Sequence, residues 1–585
     1  MSVFYRRILF VDLDQPAYRI MHPQDLELDF YLGGKDLAGR LLLKLNPPGA
    51  DPLGPDNHLI LAAGPAAGNL VWGGSRYGVF TRSPLTGGYL ESYSGGRVPQ
   101  ALDAAGYDAV VIRGVSRDPV VLSITPQGCR FLDGAGLWGK DSFAAEDQAR
   151  SMATEKKHSR SGALAIGPAG EQLIPFALIA NDYWRCAGRG GAGAVMGSKK
   201  IKAMVFQGDC KRQPARPEDL KAFSSRFMKQ GRNSPGVKAY KNFGTTQMVA
   251  LMNNAGAFPA QYWNLGTCDH WQDISGDYLH SNHHVTPEAC ARCFMACGRK
   301  TVIKSGRHKG LRLGGPEYET IYAFGGLCMI SDISEIVHLN DLCDRLGLDT
   351  ISAGNLCALA MEAGRLGRLD NAPRYGDYRA VEKILQDMVK GAGLGKILAT
   401  GIVPAARKLG LEDLAVEVKG MEPPGYDPRV LKGMGLSYAV SDRGACHLRT
   451  TFYKPELAGM IDRDAIKDKA AMVIDFENRL TIFDSLILCR FYRDMYTWEA
   501  LEELVHCLLG TGMDREELSS LAAGITDRAR QFNIAHGLGP KSDRLSSRLL
   551  KQALPDGSSI THEQMQIMLE DYYRIKGWDR EPEPG

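Results

Sequence analysis

Cys290-x-x-Cys293-x-x-x-Cys297, with a fourth cysteine far downstream in Asp484-Ser485-Leu486-Ile487-Leu488-Cys489, is the pattern that most constrains this chain. Four converging thiolates can hold a 4Fe-4S cluster, and a cluster implies a protein that moves single electrons. The spacing is not the bacterial ferredoxin run, where cysteines recur at two-residue intervals and a fourth precedes proline. Structural zinc and a coincidence of buried thiols are the alternatives. Zinc usually takes a second close pair of Cys or His ligands. None stands at zinc-finger spacing, although His283 and His284 lie near enough to keep that reading open.

At 585 residues the chain is too long for one core and should divide into roughly two to four domains. Its 44% hydrophobic and 23% charged residues describe an ordinary globular protein. A net charge of +3 gives no global field for nucleic acid. No apolar run reaches membrane-spanning length and the start lacks a signal-peptide hydrophobic region, so a cytoplasmic location is expected. Thirteen scattered cysteines do not suit a disulfide scaffold. Cys129, Cys210, Cys268, Cys328, Cys357 and Cys507 are expected to be small buried apolar residues, whereas Cys186, Cys343 and Cys446 stand inside motifs.

The first two hundred or so residues read as β-rich, with apolar runs at Ile8–Leu13, His58–Ala63, Ala109–Arg113, Val120–Ile124 and Ala203–Gln207 punctuated by Gly and Pro. The remainder reads as helical. Ser334–Leu346, stopped by Gly347, has helical periodicity, as do Arg379–Lys390 and Trp498–Leu509. Composition shifts at Gln213–Pro217, a linker candidate, and again at Glu422-Pro423-Pro424-Gly425. The tail Glu581–Gly585 is expected to fray.

Glycine concentrates in Arg185–Lys199, where backbone amides could approach an anion beside arginines. It is neither a Walker A loop nor a clean dinucleotide fingerprint, and tight turns would explain it as well. Tyr93-Ser94-Gly95-Gly96-Arg97, with Arg76 upstream, is a second candidate cradle. Asp344-Arg345-Leu346-Gly347-Leu348-Asp349 and Asp484–Cys489 share a plan in which a carboxylate could accept paired hydrogen bonds from a planar heterocycle, or merely cap a helix. Glu317, Glu319 and His447 are the candidates for proton transfer.

In order and wording these pieces resemble the tungsten-containing aldehyde ferredoxin oxidoreductase family. The matching stretches are Gly74–Gly88, Ser94–Gly96, Ala104–Val111, Asn181–Ala203, the cysteine trio, Gly315–Glu319, Cys343–Thr350, Tyr426–Arg429, Arg443–His447 and Asp484–Cys489, so the likeness covers almost the whole chain. It implies an α+β fold: a β-rich domain over residues 1–212 as the base for two pyranopterins, and mainly helical domains over 213–421 and 422–585. Four dithiolene sulfurs would hold one tungsten, or alternatively molybdenum. Arg76, Tyr93, Gly95, Arg185 and Cys186 would contact the pterin phosphates, their bridging magnesium or the pterin body. Asp344, Asp349 and Asp484 would hold the pterin rings, with Arg449 nearby, and Cys290, Cys293, Cys297 and Cys489 would ligate the cluster.

By the same resemblance a small aldehyde would leave as a carboxylic acid, with Glu319 as general base for attacking water and His447 polarising the carbonyl or relaying a proton. Electrons would pass to ferredoxin or another iron-sulfur subunit, in a homodimer or hetero-oligomer. Arg292, Arg299, Lys300, Lys304, Arg307, Lys309 and Arg312 around the trio would attract an acidic partner or form a solvated loop. Two departures stand out. Where relatives with an interface iron carry Glu-x-x-His, this chain reads His338-Leu339-Asn340-Asp341, so no such iron is expected. Ile487 replaces a glycine, so the backbone should run differently around that pterin. The rival readings are the bis-pterin subunit of an aromatic acyl-CoA reductase, a nicotinamide-dependent dehydrogenase with structural zinc, and an electron-transfer subunit without pterin.

Overall fold

A computed structural model describes residues 3–155 and 157–579, so the tail Glu581–Gly585 lies outside the described residues. The amino-terminal region is built on two mixed six-stranded sheets. β1 (Ile8–Asp12), β2 (Ala17–Met21), β3 (Leu59–Ala62), β4 (Tyr77–Arg82), β5 (Tyr89–Ser94) and β6 (Ala109–Arg113) form the first, in the order β2-β1-β6-β3-β4-β5. The second comprises β7 (Val120–Thr125), β8 (Gly128–Asp133), β9 (Arg160–Ala165), β10 (Ile179–Asn181), β11 (Arg185–Ala187) and β12 (Ile201–Gly208), ordered β11-β10-β9-β12-β7-β8. In each sheet one pair is parallel, β1 with β6 and β7 with β12.

The apolar runs are nearly unbroken because the central strands are covered on both faces. Leu9, Val11, Leu59, Leu61, Val110 and Ile112 share one core with Leu122, Ile124, Leu164, Met204 and Phe206 of the second sheet. On the outer face of the first sheet, Ile8, Phe10, Ile60 and Val111 meet Leu37, Leu41 and Leu42 of the helix Gly34–Leu45. On the outer face of the second, Val121, Ala163, Ala203 and Val205 meet Ala145 and Ala149 of the helix Ser142–Ala153. The result is a helix-flanked pair of sheets. The five expected strands lie on β1, β3, β6, β7 and β12.

Beyond residue 212 helices dominate, as expected. Ile333–Leu346 ends at Gly347, Tyr378–Lys390 at Gly391 and Trp498–Leu509 at Gly510, each glycine in the left-handed conformation that closes a helix. One small sheet interrupts them: β13 (His284–Glu288), β14 (Gly298–Val302) and β15 (Arg312–Gly314), in that order. The sequence hides it because β13 is an exposed edge strand containing Pro287, without apolar alternation. Its β13–β14 connection carries the cysteine trio. Glu422–Gly425, read as a composition break, is fully buried, with Glu422 at 0% exposure. Cys210 is half-buried, whereas Cys129, Cys268, Cys328, Cys357 and Cys507 are buried. Among the described residues no helix is long and apolar enough to cross a membrane.

The glycine-rich segment divides into two parts. Its second half forms the helix Ala192–Ser198, where a Cβ on Gly193 would lie 2.3 Å from the Leu178 carbonyl and one on Gly197 2.0 Å from that of Gly170. These glycines serve backbone packing rather than a phosphate. Gly193→Ala should therefore destabilise the protein by about 1–3 kcal/mol through overpacking. Gly136→Ala, with nothing within 4 Å of the added carbon, should stay within about 0.5 kcal/mol. Denaturant midpoints of the two variants check this.

Candidate active site

The cysteine trio and Cys489 are brought together across the fold. Cys489 follows the helix Lys469–Leu486, and its amide donates to the Gly73 carbonyl at 2.9 Å, while the Gly73 amide donates to Arg292 in the trio loop at 3.2 Å. All four cysteines line one cavity of about 220 Å³, with Arg76, Tyr93, Gly95, Arg185, Cys186 and Glu317 on its other walls. Arg76 donates to the Tyr93 carbonyl at 3.0 Å and reaches Cys489 Sγ at 3.9 Å. A Cβ on Gly95 would stand 3.1 Å from Cys290 Sγ, so only the smallest residue leaves this wall open. Arg185, partly buried, stays in its charged form, burial opposing and the neighbouring cysteine sulfurs and Glu317 favouring the charge.

Among the described residues no three His, Cys, Asp or Glu side chains could hold a single metal ion. The His283 ring faces Ser334 at 3.4 Å and the Lys304 amide at 3.5 Å instead.

A second cavity, about 230 Å³, shares Tyr93, Trp184, Cys186 and Glu317 with the first and is walled further by Arg189, Glu319, Asp344, Asp349, Arg443 and His447. Glu319 sits on the short helix Tyr318–Thr320, which runs into a π-helical segment, Ile321–Leu327, of a kind often found at functional sites. The Gly425 amide donates to Glu319 Oε2 at 3.0 Å, and Oε1 has no partner among the described residues. The side chain keeps 17% of its surface free, facing this internal cavity. Burial raises its pKa to about 7. His447 Nε2 lies 3.6 Å from Glu319 Oε1. The contact is not an ion pair, because burial, then Arg189 and Arg443, push the imidazole pKa well below its usual value and keep it neutral.

Asp344 accepts from Asn340 at 2.9 Å, and burial, reinforced by Asp341, pushes its pKa well above the carboxylate range. Asp349 caps the helix Thr350–Arg365 through the Ile351 and Ser352 amides and takes Arg189 Nε at 3.2 Å. Ser352 Oγ lies 3.0 Å from Asp349 Oδ2 and 2.7 Å from Glu422 Oε2. One hydroxyl proton cannot serve two carboxylates. Burial raises the Glu422 pKa to about 7.

Asp484 and Arg449 line neither cavity; they belong to a buried ionic network beside them. Arg449 Nη2 lies 2.8 Å from Asp484 and also pairs with Glu91, Arg490 pairs with Asp484, and Lys35 lies 3.1 Å from Glu91 and 2.7 Å from Asp442. Burial would raise the Asp484 pKa, but Arg490, Arg449 and Lys35 together hold it below the usual value. Tyr93 Oη donates to Glu91 Oε2 at 2.7 Å, joining the network to the cavity wall. Ile487 takes φ 64° and ψ 46°, the left-handed conformation that glycine adopts more readily than a β-branched residue.

The sequence reading named neither Lys35, Glu91, Arg189 nor Glu422 as a site residue. Arg443, quoted in the Arg443–His447 motif but not singled out as a site residue, donates from its guanidinium to Cys446 Sγ at 2.9 Å and lines the second cavity. The Glu-x-x-His spacing sought at His338–Asp341 stands one turn earlier, at Glu335 and His338. Of the bases around the trio, Arg299 is buried against the carbonyls of Tyr240, Lys241, Asn242 and Ala296, and Arg307 pairs with Glu335 and Glu382. Arg292, Lys300, Lys304, Lys309 and Arg312 are exposed.

A polar cofactor fits these residues. Arg443 Nε, His447 Nδ1, Arg449 Nε and Arg490 Nη1 are buried without a partner among the described residues, which is costly unless a bound group meets them.

Comparison with known proteins agrees along the whole chain. Residues 8–208 match the model of the aldehyde ferredoxin oxidoreductase N-terminal domain, and residues 222–585 that of domains 2 and 3 of the same family. The chain is 35% identical to the tungsten-containing aldehyde ferredoxin oxidoreductase of Pyrococcus furiosus, over 94% of this chain and 92% of that protein. It is 34% identical to the enzyme of that name from Thermococcus kodakarensis, with the same coverage. Among solved structures, the active-site complex BamBC of benzoyl coenzyme A reductase in complex with 1,5-dienoyl-CoA superposes with a TM-score of 0.84 over 99% of this chain and 95% of that one. At 22% identity that likeness shows the fold alone.

Asp484→Asn would leave Arg490 buried without its counter-charge and Arg449 with Glu91 alone, at an expected cost of about 3–5 kcal/mol. Because the Asp484 pKa is lowered on folding, its stabilisation is present above the ordinary carboxylate pKa and lost as pH falls through the depressed value. The gap in thermal midpoint between variant and native protein should accordingly be wide at neutral pH and narrow in acid.

Proposed function

The chain belongs to the aldehyde ferredoxin oxidoreductase family, and from that premise we propose that it oxidises a small aldehyde to the carboxylic acid at a tungsten bis-pyranopterin, with electrons leaving through a 4Fe-4S cluster to ferredoxin. The observation that carries the proposal is the shared wall. The cavity lined by the four cysteines and the chamber holding Glu319 and His447 have Tyr93, Cys186 and Glu317 in common.

Cys290, Cys293, Cys297 and Cys489 would hold the cluster. Arg76, Tyr93, Gly95, Arg185 and Cys186 would meet the pterins, their phosphates and the magnesium between them. Asp344 and Asp349, from the second cavity, and Asp484, from the ionic network, would hold the pterin rings, with Arg449 nearby. When bound, the tungsten centre supplies an acceptor for the pair of electrons that leaves with the aldehydic hydrogen.

The chain's own residues supply the proton chemistry. Glu319, fixed through one oxygen by the Gly425 amide, has its other oxygen free to take a proton from the water that attacks the carbonyl carbon. His447, neutral, can donate to the carbonyl oxygen and polarise it without placing a second buried charge in the chamber. The exposed bases Arg292, Lys300, Lys304, Lys309 and Arg312, near the trio in sequence, support an acidic acceptor.

Elemental analysis of the anaerobically purified protein should give one tungsten and about four irons per chain, the content of one 4Fe-4S cluster. Stoichiometric zinc without tungsten or molybdenum would sink the proposal. Aldehyde oxidation should rise with pH through about 7 as Glu319 loses its proton. Glu319→Gln should keep the metal content, remove most turnover and abolish that acidic limb. Near-native turnover in this variant would assign the base to Glu317 or His447.

A further inference from the structure

We propose that Tyr492 sets the reduction potential of the iron-sulfur cluster by donating its phenolic hydrogen to the sulfur of Cys293; this rests on the assignment of the four cysteines as cluster ligands. Tyr492 lies in the short turn Arg490–Tyr492 directly after Cys489 and is fully buried. Its hydroxyl is 3.4 Å from Cys293 Sγ and accepts from the amides of Phe294 at 3.0 Å and Met295 at 3.3 Å.

A phenol offers one proton and two acceptor positions. Both acceptor positions are taken by amides, so the proton is left for the sulfur. The ring cannot swing away. Phe294 packs edge-on at 5.1 Å between centroids, Phe227 lies at 6.2 Å, and a Cβ on Gly73 would come within 2.7 Å of the ring. The Tyr492 amide donates to the Cys489 carbonyl at 3.0 Å, so this residue joins the segment of the fourth ligand to the loop of the other three.

Reduction adds one electron whose charge spreads onto the ligating sulfurs, and a hydrogen-bond donor there stabilises the reduced state more than the oxidised one. The bond therefore raises the potential. Arg76 approaches Cys489 Sγ at 3.9 Å, a longer contact than that of Tyr492 with Cys293. The cluster takes one electron from the pterin centre and passes one to its acceptor, so Tyr492 keeps its proton throughout and alters only the energy of the intermediate state.

The test is an anaerobic redox titration of the holoenzyme followed by electron paramagnetic resonance, with iron content measured in parallel. Tyr492→Phe should lower the midpoint potential. A tenfold fall in the reduced-to-oxidised ratio at fixed potential corresponds to about 59 mV for a one-electron couple. Fluorotyrosine at position 492 keeps the oxygen and both amide contacts while making the phenol a stronger donor, and should raise the potential. In heavy water the reduced cluster should show a coupling to an exchangeable deuteron that the phenylalanine variant lacks. Unchanged potentials with full iron content in both proteins would overturn the proposal. Should Tyr492→Phe fail to load iron because two buried amides lose their acceptor, the fluorotyrosine protein decides alone. Absence of iron from the native protein would refute the cluster assignment itself, and this inference with it.

Discussion

The carboxylate of Asp484, buried between Arg449 and Arg490, is the contact on which the arrangement of the site depends. Taking charges out of water costs several kcal/mol per ion, so each member of such a network must find its counter-charge or the fold does not close. Lys35, Arg449 and Arg490 are met by Glu91, Asp442 and Asp484. These six come from the helix on the first sheet, from β5 and from the carboxyl-terminal part of the chain, so the requirement for neutrality locks the helical part onto the sheets. Cys489 lies five residues beyond Asp484. The segment that carries Asp484 therefore also brings Cys489 to the wall of the cysteine cavity.

That dependence gives the two cavities their adjacency. Under the proposed function, a two-electron oxidation that must leave as single electrons needs a short path between the place of chemistry and the carrier. Tyr93 donates to Glu91 of the network and lines both cavities, so a strand of the amino-terminal sheet holds the partition between them. Cys186, on β11 of the second sheet, stands in the same wall.

Sequence made visible what depends on local pattern. Helices stopped by Gly347 and Gly510, apolar strands covered on both faces, the cysteine trio and the repeated aspartate motif could all be read, because each is written within a few residues. Lys35 and Glu91 were not legible: they pair with each other across separate elements, and their other partners, Asp442 and Arg449, stand hundreds of residues away. Glu422 was passed over as a site residue for the opposite reason. Pro423-Pro424-Gly425 spells a surface turn, yet the segment is buried, with the Pro423 carbonyl accepting from Tyr322, Pro424 from Tyr438 and Gly425 from Tyr318. Ile487 shows the limit of reading a backbone from a residue type, since a β-branched residue here takes the left-handed conformation.

The same carboxylate chemistry serves opposite ends according to which cations surround it. Asp484 and Glu319 are both buried, and burial alone would push both towards the neutral acid. Three cations keep Asp484 charged at any pH near neutrality, which makes it a fixed counter-charge and a poor proton acceptor. Glu319 has Arg189 as the leading cation opposing burial and accepts one backbone hydrogen bond from Gly425, so its pKa settles near 7, where proton uptake and release are both inexpensive. Neutral His447 beside it preserves that balance, because an imidazolium at 3.6 Å would pull the carboxyl back to its acidic range. The arginines that depress His447 thereby act on Glu319 at one remove, and the division between charge holder and proton acceptor follows from where those arginines stand.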